Sequence, residues 1–69
     1  MNARILVLDD RLYGAAAVKA AMKDYSGAAD MNMERKDHAI TVTINNWPEE
    51  YEDTIEFEFC NYLLWKMRN

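Results

Sequence analysis

Three side chains of this 69-residue chain could supply a nucleophile or a base: Ser26, His38 and Cys60, each the single residue of its type. Nucleophilic catalysis needs a nucleophile, a base beside it and a third group that orients the base. We expect Ser26 to belong to a helix-ending turn and His38 to lie on the surface of a strand. Cys60 stands among aromatic residues, where a thiol packs as a small, inert apolar group. The sequence therefore predicts a protein that is not an enzyme.

A metal centre or a nucleotide cofactor would need residues that the sequence does not offer. A structural zinc site takes about four ligands, whereas His38 and Cys60 are the good zinc ligands here and no CxxC or HxxxH spacing occurs. Two glycines cannot build a phosphate-binding loop. We predict no metal and no cofactor.

Acidic residues crowd the segment 49–58, and none of them has a base among its neighbours. They are Glu49, Glu50, Glu52, Asp53, Glu56 and Glu58. The run is either a solvated helix face or a docking surface for a basic partner. The net charge of −4 disfavours nucleic acid and anionic membrane as partners.

A further group of side chains could form an interface, because they are large, apolar and placed outside the predicted core. On the last helix and the loop before it they are Trp47, Phe57, Leu64 and Trp65, and on the first strand they are Ile5 and Val7. An apolar patch that stays exposed marks an interaction site. The alternative is that a small domain uses these aromatic residues to enlarge its core.

The length and composition predict one domain, spanning 1–69. Apolar residues make up 51% and charged residues 29% of the chain, which is typical of a folded globular domain. A stretch of ~20 apolar residues, as a membrane helix requires, is absent, and the N-terminus does not resemble a secretion signal. One cysteine cannot form an internal disulfide, so we expect a cytoplasmic protein.

The first half of the chain predicts a strand, a helix and a hairpin. The continuous apolar run within 3–9 indicates a strand that is covered on both faces or lies at an edge. Alanine-rich 14–25 indicates a helix whose cap is either Asp10 or Gly14, with Gly27 as its stop. Segments 29–35 and 38–45 alternate in hydropathy around a polar turn and predict the hairpin.

The last segment predicts a long helix that has Pro48 at its first position, where proline is favoured, and runs through 49 to about 68. Its buried stripe would hold Tyr51, Ile55, Phe59, Tyr62, Leu63 and Met67. Residues 54–59 also alternate at period two, which leaves open a strand followed by a short helix.

Together these elements predict an α+β fold with the order β-α-β-β-α. We expect a split βαβ arrangement, ferredoxin-like without its last strand, in which a three-stranded sheet carries two helices on one face. A right-handed crossover would place 3–9 beside 38–45, with 29–35 outside. The first strand then has an open edge, which predicts a homodimer or addition of a partner strand. In an antiparallel homodimer, Arg4 would lie near Asp9 of the second copy.

Three segments resemble the His-Xaa-Ser system protein D family. Tyr13 to Ala21 is similar to its tyrosine-led first helix, and Ile40-Thr41-Val42 resembles its central strand. Phe59-Cys60-Asn61-Tyr62-Leu63-Leu64, followed by Arg68, is similar to its closing helix. Trp65 and Lys66 depart from the acidic and amide residues expected there. The resemblance implies a non-catalytic accessory protein that binds a protein or peptide in a radical S-adenosylmethionine peptide-maturation system.

Overall fold

The computed structural model describes residues 3–68 as a three-stranded sheet and two helices. The elements in chain order are β1 (Arg4–Asp9), α1 (Ala15–Asp24), β2 (Asp30–Lys36), β3 (Ala39–Asn45), a single 3-10 turn (Glu49–Tyr51) and α2 (Ile55–Arg68). The predicted α+β class and element order are confirmed. Likeness to a ferredoxin-like fold stays a prediction.

The sheet has the order β1-β3-β2, and both neighbouring pairs are antiparallel. β1 therefore lies beside β3 and runs in the same direction as β2, with the hairpin strand β2 outside, as predicted. The hairpin turns at Asp37, whose φ of 54° is left-handed, a conformation that aspartate tolerates better than most residues.

The core lies on one face of the sheet and is covered there by both helices, as predicted. Its buried side chains are Leu8, Val18, Ala21, Ala29, Ile40, Val42, Ile44, Ile55, Phe59 and Leu63. In β3 the isoleucines and Val42 are buried while the threonines between them are only half-buried, because successive side chains point to opposite faces of a strand. The other face, which we call the open face, carries Ile5 and Val7 of β1 with Thr43 and Thr41 opposite them.

Of the two predicted caps for the first helix, Gly14 is the N-cap and Asp10 is not. The carbonyl of Asp9 accepts the N–H groups of Leu12 and Tyr13, so the intervening residues form a tight turn instead of a first helical turn. α1 ends at Asp24, and Tyr25 caps it. The chain then passes through turns over 25–28, and Gly27 does not adopt a left-handed φ.

The single helix predicted over 49–68 is wrong at its start, because α2 begins at Ile55. Pro48 stands outside as the N-cap of the 3-10 turn, not as the first helical residue. A guanidinium nitrogen of Arg4 donates a 2.7 Å hydrogen bond to the backbone carbonyl of Glu52, so this carbonyl has a tertiary partner in the turn that precedes α2.

The buried stripe of α2 is correspondingly shorter than predicted. Tyr51 and Met67 are 36% and 39% exposed, whereas Ile55, Phe59 and Leu63 are buried. The strand alternative for 54–59 is excluded, because 55–59 belongs to α2. No helix within residues 3–68 is long and apolar enough to span a bilayer.

Candidate protein-binding edge

β1 is an edge strand whose outer side points backbone groups away from the sheet. The N–H of Asp10 donates to the carbonyl of His38 at 2.8 Å, and this pair continues the register that sets Asp9 opposite Ala39. In an antiparallel ladder, alternate residues turn their N–H and C=O groups toward the neighbouring strand. The backbone N–H and C=O groups of the even-numbered residues of β1 therefore point to β3, and those of Ile5 and Val7 point to the open edge.

The side chains of this strand add apolar surface beside that edge. Ile5 and Val7 are 61% and 68% exposed on the open face, whereas Leu6 packs partly and Leu8 fully against the core. The continuous apolar run thus has one half buried and one half exposed. Of its two predicted explanations, the edge strand is correct and coverage on both faces is wrong.

β2, the other edge of the sheet, has a different chemistry. Its seven residues include Asp30, Glu34, Arg35 and Lys36, all exposed. Charged side chains on an edge discourage pairing with a foreign strand. β1 has charges only at its ends, at Arg4 and Asp9, so β1 is the edge that remains open to pairing.

The exposed apolar residues of α2 fall on two flanks of the helix. Phe57 and Leu64, seven residues apart, are 70% and 46% exposed and share one flank with half-buried Cys60 and with Met67. We call these four residues the α2 seam. Trp65 is 57% exposed but lies on another flank, where its ring centroid is 5.6 Å from that of Tyr62.

Trp47 is engaged within the chain. Its ring is half-buried against the core, and its Nε1 donates to a carboxylate oxygen of Glu52 at 3.0 Å. The guanidinium of Arg4 lies 5.4 Å from the ring centroid. These contacts fix the start of β1 to the loop that precedes α2.

The residues considered for catalysis are not brought together. Ser26 lies in the turn after α1, and His38 lies in the hairpin turn, with its Nδ1 3.2 Å from an oxygen of Asp10. Cys60 is half-buried on α2, where burial, and secondarily Glu56, raises the pKa of its thiol. Among the residues that the structure describes, no group of three or more histidine, cysteine or carboxylate side chains is arranged to hold a metal ion.

Two aspartates at the end of β1 are held by arginines. Arg11 donates to both carboxylate oxygens of Asp9 at 3.0 and 2.8 Å, and these bonds lower the pKa of Asp9 from 3.8 to about 2. Arg35 donates to Asp10 at 2.9 Å, which lowers the pKa of that carboxyl, with His38 contributing. Both residues are therefore occupied at the end of the edge.

Two tertiary contacts that position the edge and α2 are not indicated by any pattern in the sequence. Arg4 connects the start of β1 to Glu52 and to Glu56, with its Nε 3.5 Å from Glu56 Oε1. Asp24, at the end of α1, accepts hydrogen bonds from the Tyr62 hydroxyl and from Lys66. Arg4 and Glu52 are 48 positions apart, and Asp24 and Tyr62 are 38 apart, so no pattern of neighbouring residues indicates either contact. The regular spacing of the α2 seam, in contrast, is visible in the sequence.

Comparison of the chain with protein-family models, with curated proteins and with solved structures finds no match.

Proposed function

We propose that this chain is a non-catalytic protein- or peptide-binding module that takes an extended polypeptide onto the open edge of β1. The observation that carries the proposal is the apolar edge strand itself, whose Ile5 and Val7 turn their backbone groups outward. An extended segment added to such an edge gains main-chain hydrogen bonds, and pockets for alternate side chains give selectivity.

Side-chain chemistry beside the edge supports an apolar partner segment. Ile5 and Val7 offer exposed branched side chains on the open face. On the helix side, Leu6 and the α2 seam provide further apolar surface. A segment with apolar residues on both faces would bury the most of this surface, and an alternating one would still pair with the edge and cover the apolar surface of one face.

The resemblance to the His-Xaa-Ser system protein D family supports an accessory role in a radical S-adenosylmethionine peptide-maturation system. In that setting the module works in the cytoplasm, binds a protein or peptide, and needs no cofactor, nucleic acid or membrane. The alternative function is a self-associating structural domain, a homodimer formed through β1 with no ligand of its own.

Replacing Val7 by proline tests the edge directly. Val7→Pro removes an N–H that points away from β3, so the β1–β3 ladder is kept while strand addition is blocked. Val7→Thr is the matched control, because it keeps the N–H and a branched side chain. The probe is a synthetic lysine-flanked peptide of alternating valine and threonine, followed by backbone NMR.

We expect an excess of the peptide, which competes with any second copy for the edge, to shift the amide signals of Ile5 and Asp9 in the wild type and in Val7→Thr, but not in Val7→Pro. Equal shifts in a folded Val7→Pro variant would show that the edge is not the binding surface.

A further inference from the structure

α2 carries a second apolar stripe besides the buried one. Phe57, Cys60, Leu64 and Met67 follow each other at intervals of three, four and three residues, the spacing by which two helices pack against each other. Three of these side chains are 70%, 46% and 39% exposed, namely Phe57, Leu64 and Met67. The α2 seam therefore has the pattern of a helix-packing surface that no other described element covers.

The seam lies on the same side of the molecule as the open edge of β1. Glu56 contacts Arg4 of β1, and Cys60 follows Glu56 by one helical turn, which places both on one flank of α2. Tyr62 and Lys66, on a different flank, hold Asp24 of α1. α2 thus contacts α1 on one flank and β1 on the other, with Cys60 and Met67 of the seam next to the flank that meets β1 and with Leu64 and Phe57 farther round the helix, toward solvent.

We propose that a second copy of this chain occupies both surfaces, pairing β1 with β1 and the α2 seam with its counterpart about a single two-fold axis. This inference rests on the proposed function, since it names the polypeptide that the edge binds. The two three-stranded sheets would join into one continuous six-stranded sheet, with the two α2 helices packed antiparallel on one face.

The strand pairing is self-complementary when Leu6 lies on the two-fold axis. The faces of two joined sheets stay continuous only if residues of the same face stand opposite each other. Pairing about Ile5, Leu6 or Val7 satisfies this, and pairing about Leu6 is the register that sets Ile5 opposite Val7 of the second copy at both places. Arg4 and Asp9 lie on opposite faces of the strand and are already bound by Glu52 and Arg11, so the charge pair expected between them does not contribute.

The helix pairing is self-complementary as well, because the intervals in the seam read the same in both directions. Two antiparallel copies place Phe57 opposite Met67, and Cys60 opposite Leu64. Charge agrees with this orientation: α2 has Glu56 and Glu58 in its first turn and Lys66 and Arg68 in its last. Antiparallel helices bring acidic starts against basic ends, whereas parallel ones would bring like charges together.

Leu64→Glu tests the seam, because it buries a charge between the helices without touching the monomer core. Leu12→Glu is the matched control, since Leu12 is a leucine 71% exposed outside both surfaces. Sedimentation equilibrium should give the wild type and Leu12→Glu twice the mass of the chain. We expect Leu64→Glu to raise the dissociation constant at least about tenfold, and an unchanged constant would overturn the seam pairing.

A cysteine introduced by Leu64→Cys tests the antiparallel register. It would face Cys60 of the second copy, so mild oxidation with diamide should form disulfide-linked dimers. Trp65→Cys, on another flank, should form them far less readily. Equal cross-linking of both variants would contradict the proposed packing.

Failure of this inference can be told apart from failure of the proposed function. A wild-type chain that stays monomeric at millimolar concentration overturns the second copy as occupant. If that monomer still binds the valine–threonine peptide at Ile5, strand addition stands and the edge serves a different polypeptide. Loss of both dimer and peptide binding overturns the two proposals together.

Discussion

Ion pairs at the ends of β1 show how single residues determine the extent of the open edge. Asp9 accepts two hydrogen bonds from the Arg11 side chain and one from its backbone N–H. These bonds favour the carboxylate, and they keep the last residue of the strand in the tight turn that leads to α1. The same turn uses the Asp9 carbonyl, so of the backbone groups of this residue only the N–H belongs to the free edge.

Asp9 gives a prediction about stability in acid. Its pKa of about 2 in the folded chain lies below the ordinary 3.8, so its contribution is present above 3.8 and is lost as the pH falls toward 2. We expect Asp9→Asn to be less stable than the wild type near neutral pH and to approach it in that acidic window. Urea unfolding at several pH values measures this, with Asp53→Asn as the exposed control. A difference that does not change with pH would contradict the assignment.

At the scale of elements, the buried stripe of α2 determines that this segment forms a helix and which of its faces packs on the core. Ile55, Phe59 and Leu63 recur at four-residue intervals and are buried, which is the periodicity of a helix packed on a sheet. The alternation from Thr54 to Phe59 is compatible with a strand only locally. The helix prevails because its buried stripe fits the core formed by β3 and α1.

Two phenylalanines on α2 provide a matched pair that tests this account. Phe59 is fully buried and contacts Tyr25 edge-on, with 5.4 Å between ring centroids, whereas Phe57 is 70% exposed. Phe59→Ala should cost about 3–5 kcal/mol of unfolding free energy, close to the whole ~3–5 kcal/mol that a core of this size supplies. Phe57→Ala should stay within about 0.5 kcal/mol in the monomer. Thermal and urea unfolding at low concentration distinguish them, and equal costs would refute the orientation of α2.

At the scale of the whole molecule, two long-range ties define how the helices sit on the sheet. Arg4 fixes the start of β1 to the approach to α2, and Asp24 connects the end of α1 to Tyr62 and Lys66. The first tie holds α2 beside the open edge. The second draws α2 against α1 through Tyr62 and Lys66, so the α2 seam is left on a flank that α1 does not cover.

The tie at Asp24 predicts a change in the titration of Tyr62. The hydrogen bond that Asp24 accepts raises the pKa of the Tyr62 hydroxyl, so Asp24→Asn should lower that pKa toward the value of free tyrosine. A raised pKa stabilises the fold at pH values below the ordinary tyrosine pKa, and this stabilisation is lost as the pH rises through the raised value. NMR of the tyrosine ring carbons resolves the four tyrosines. An unchanged Tyr62 pKa in a folded variant would show that the tie does not persist in solution.

Local patterns in the sequence determined β1, the β2–β3 hairpin and the buried positions Ile55, Phe59 and Leu63 of α2, because each depends on periodicity and on residue type. The same patterns marked Ile5, Val7, Phe57 and Leu64 as surplus apolar residues. They could not place the start of α2, because the turn before it includes a contact with a distant residue, the hydrogen bond from Arg4, 48 residues away, to the Glu52 carbonyl. Nor could they show that Trp47 is engaged by Arg4 and Glu52, or which apolar flank of α2 stays clear of α1. Those outcomes depend on which flank of α2 contacts α1 and which turns toward β1, and packing between elements distant in sequence decides that.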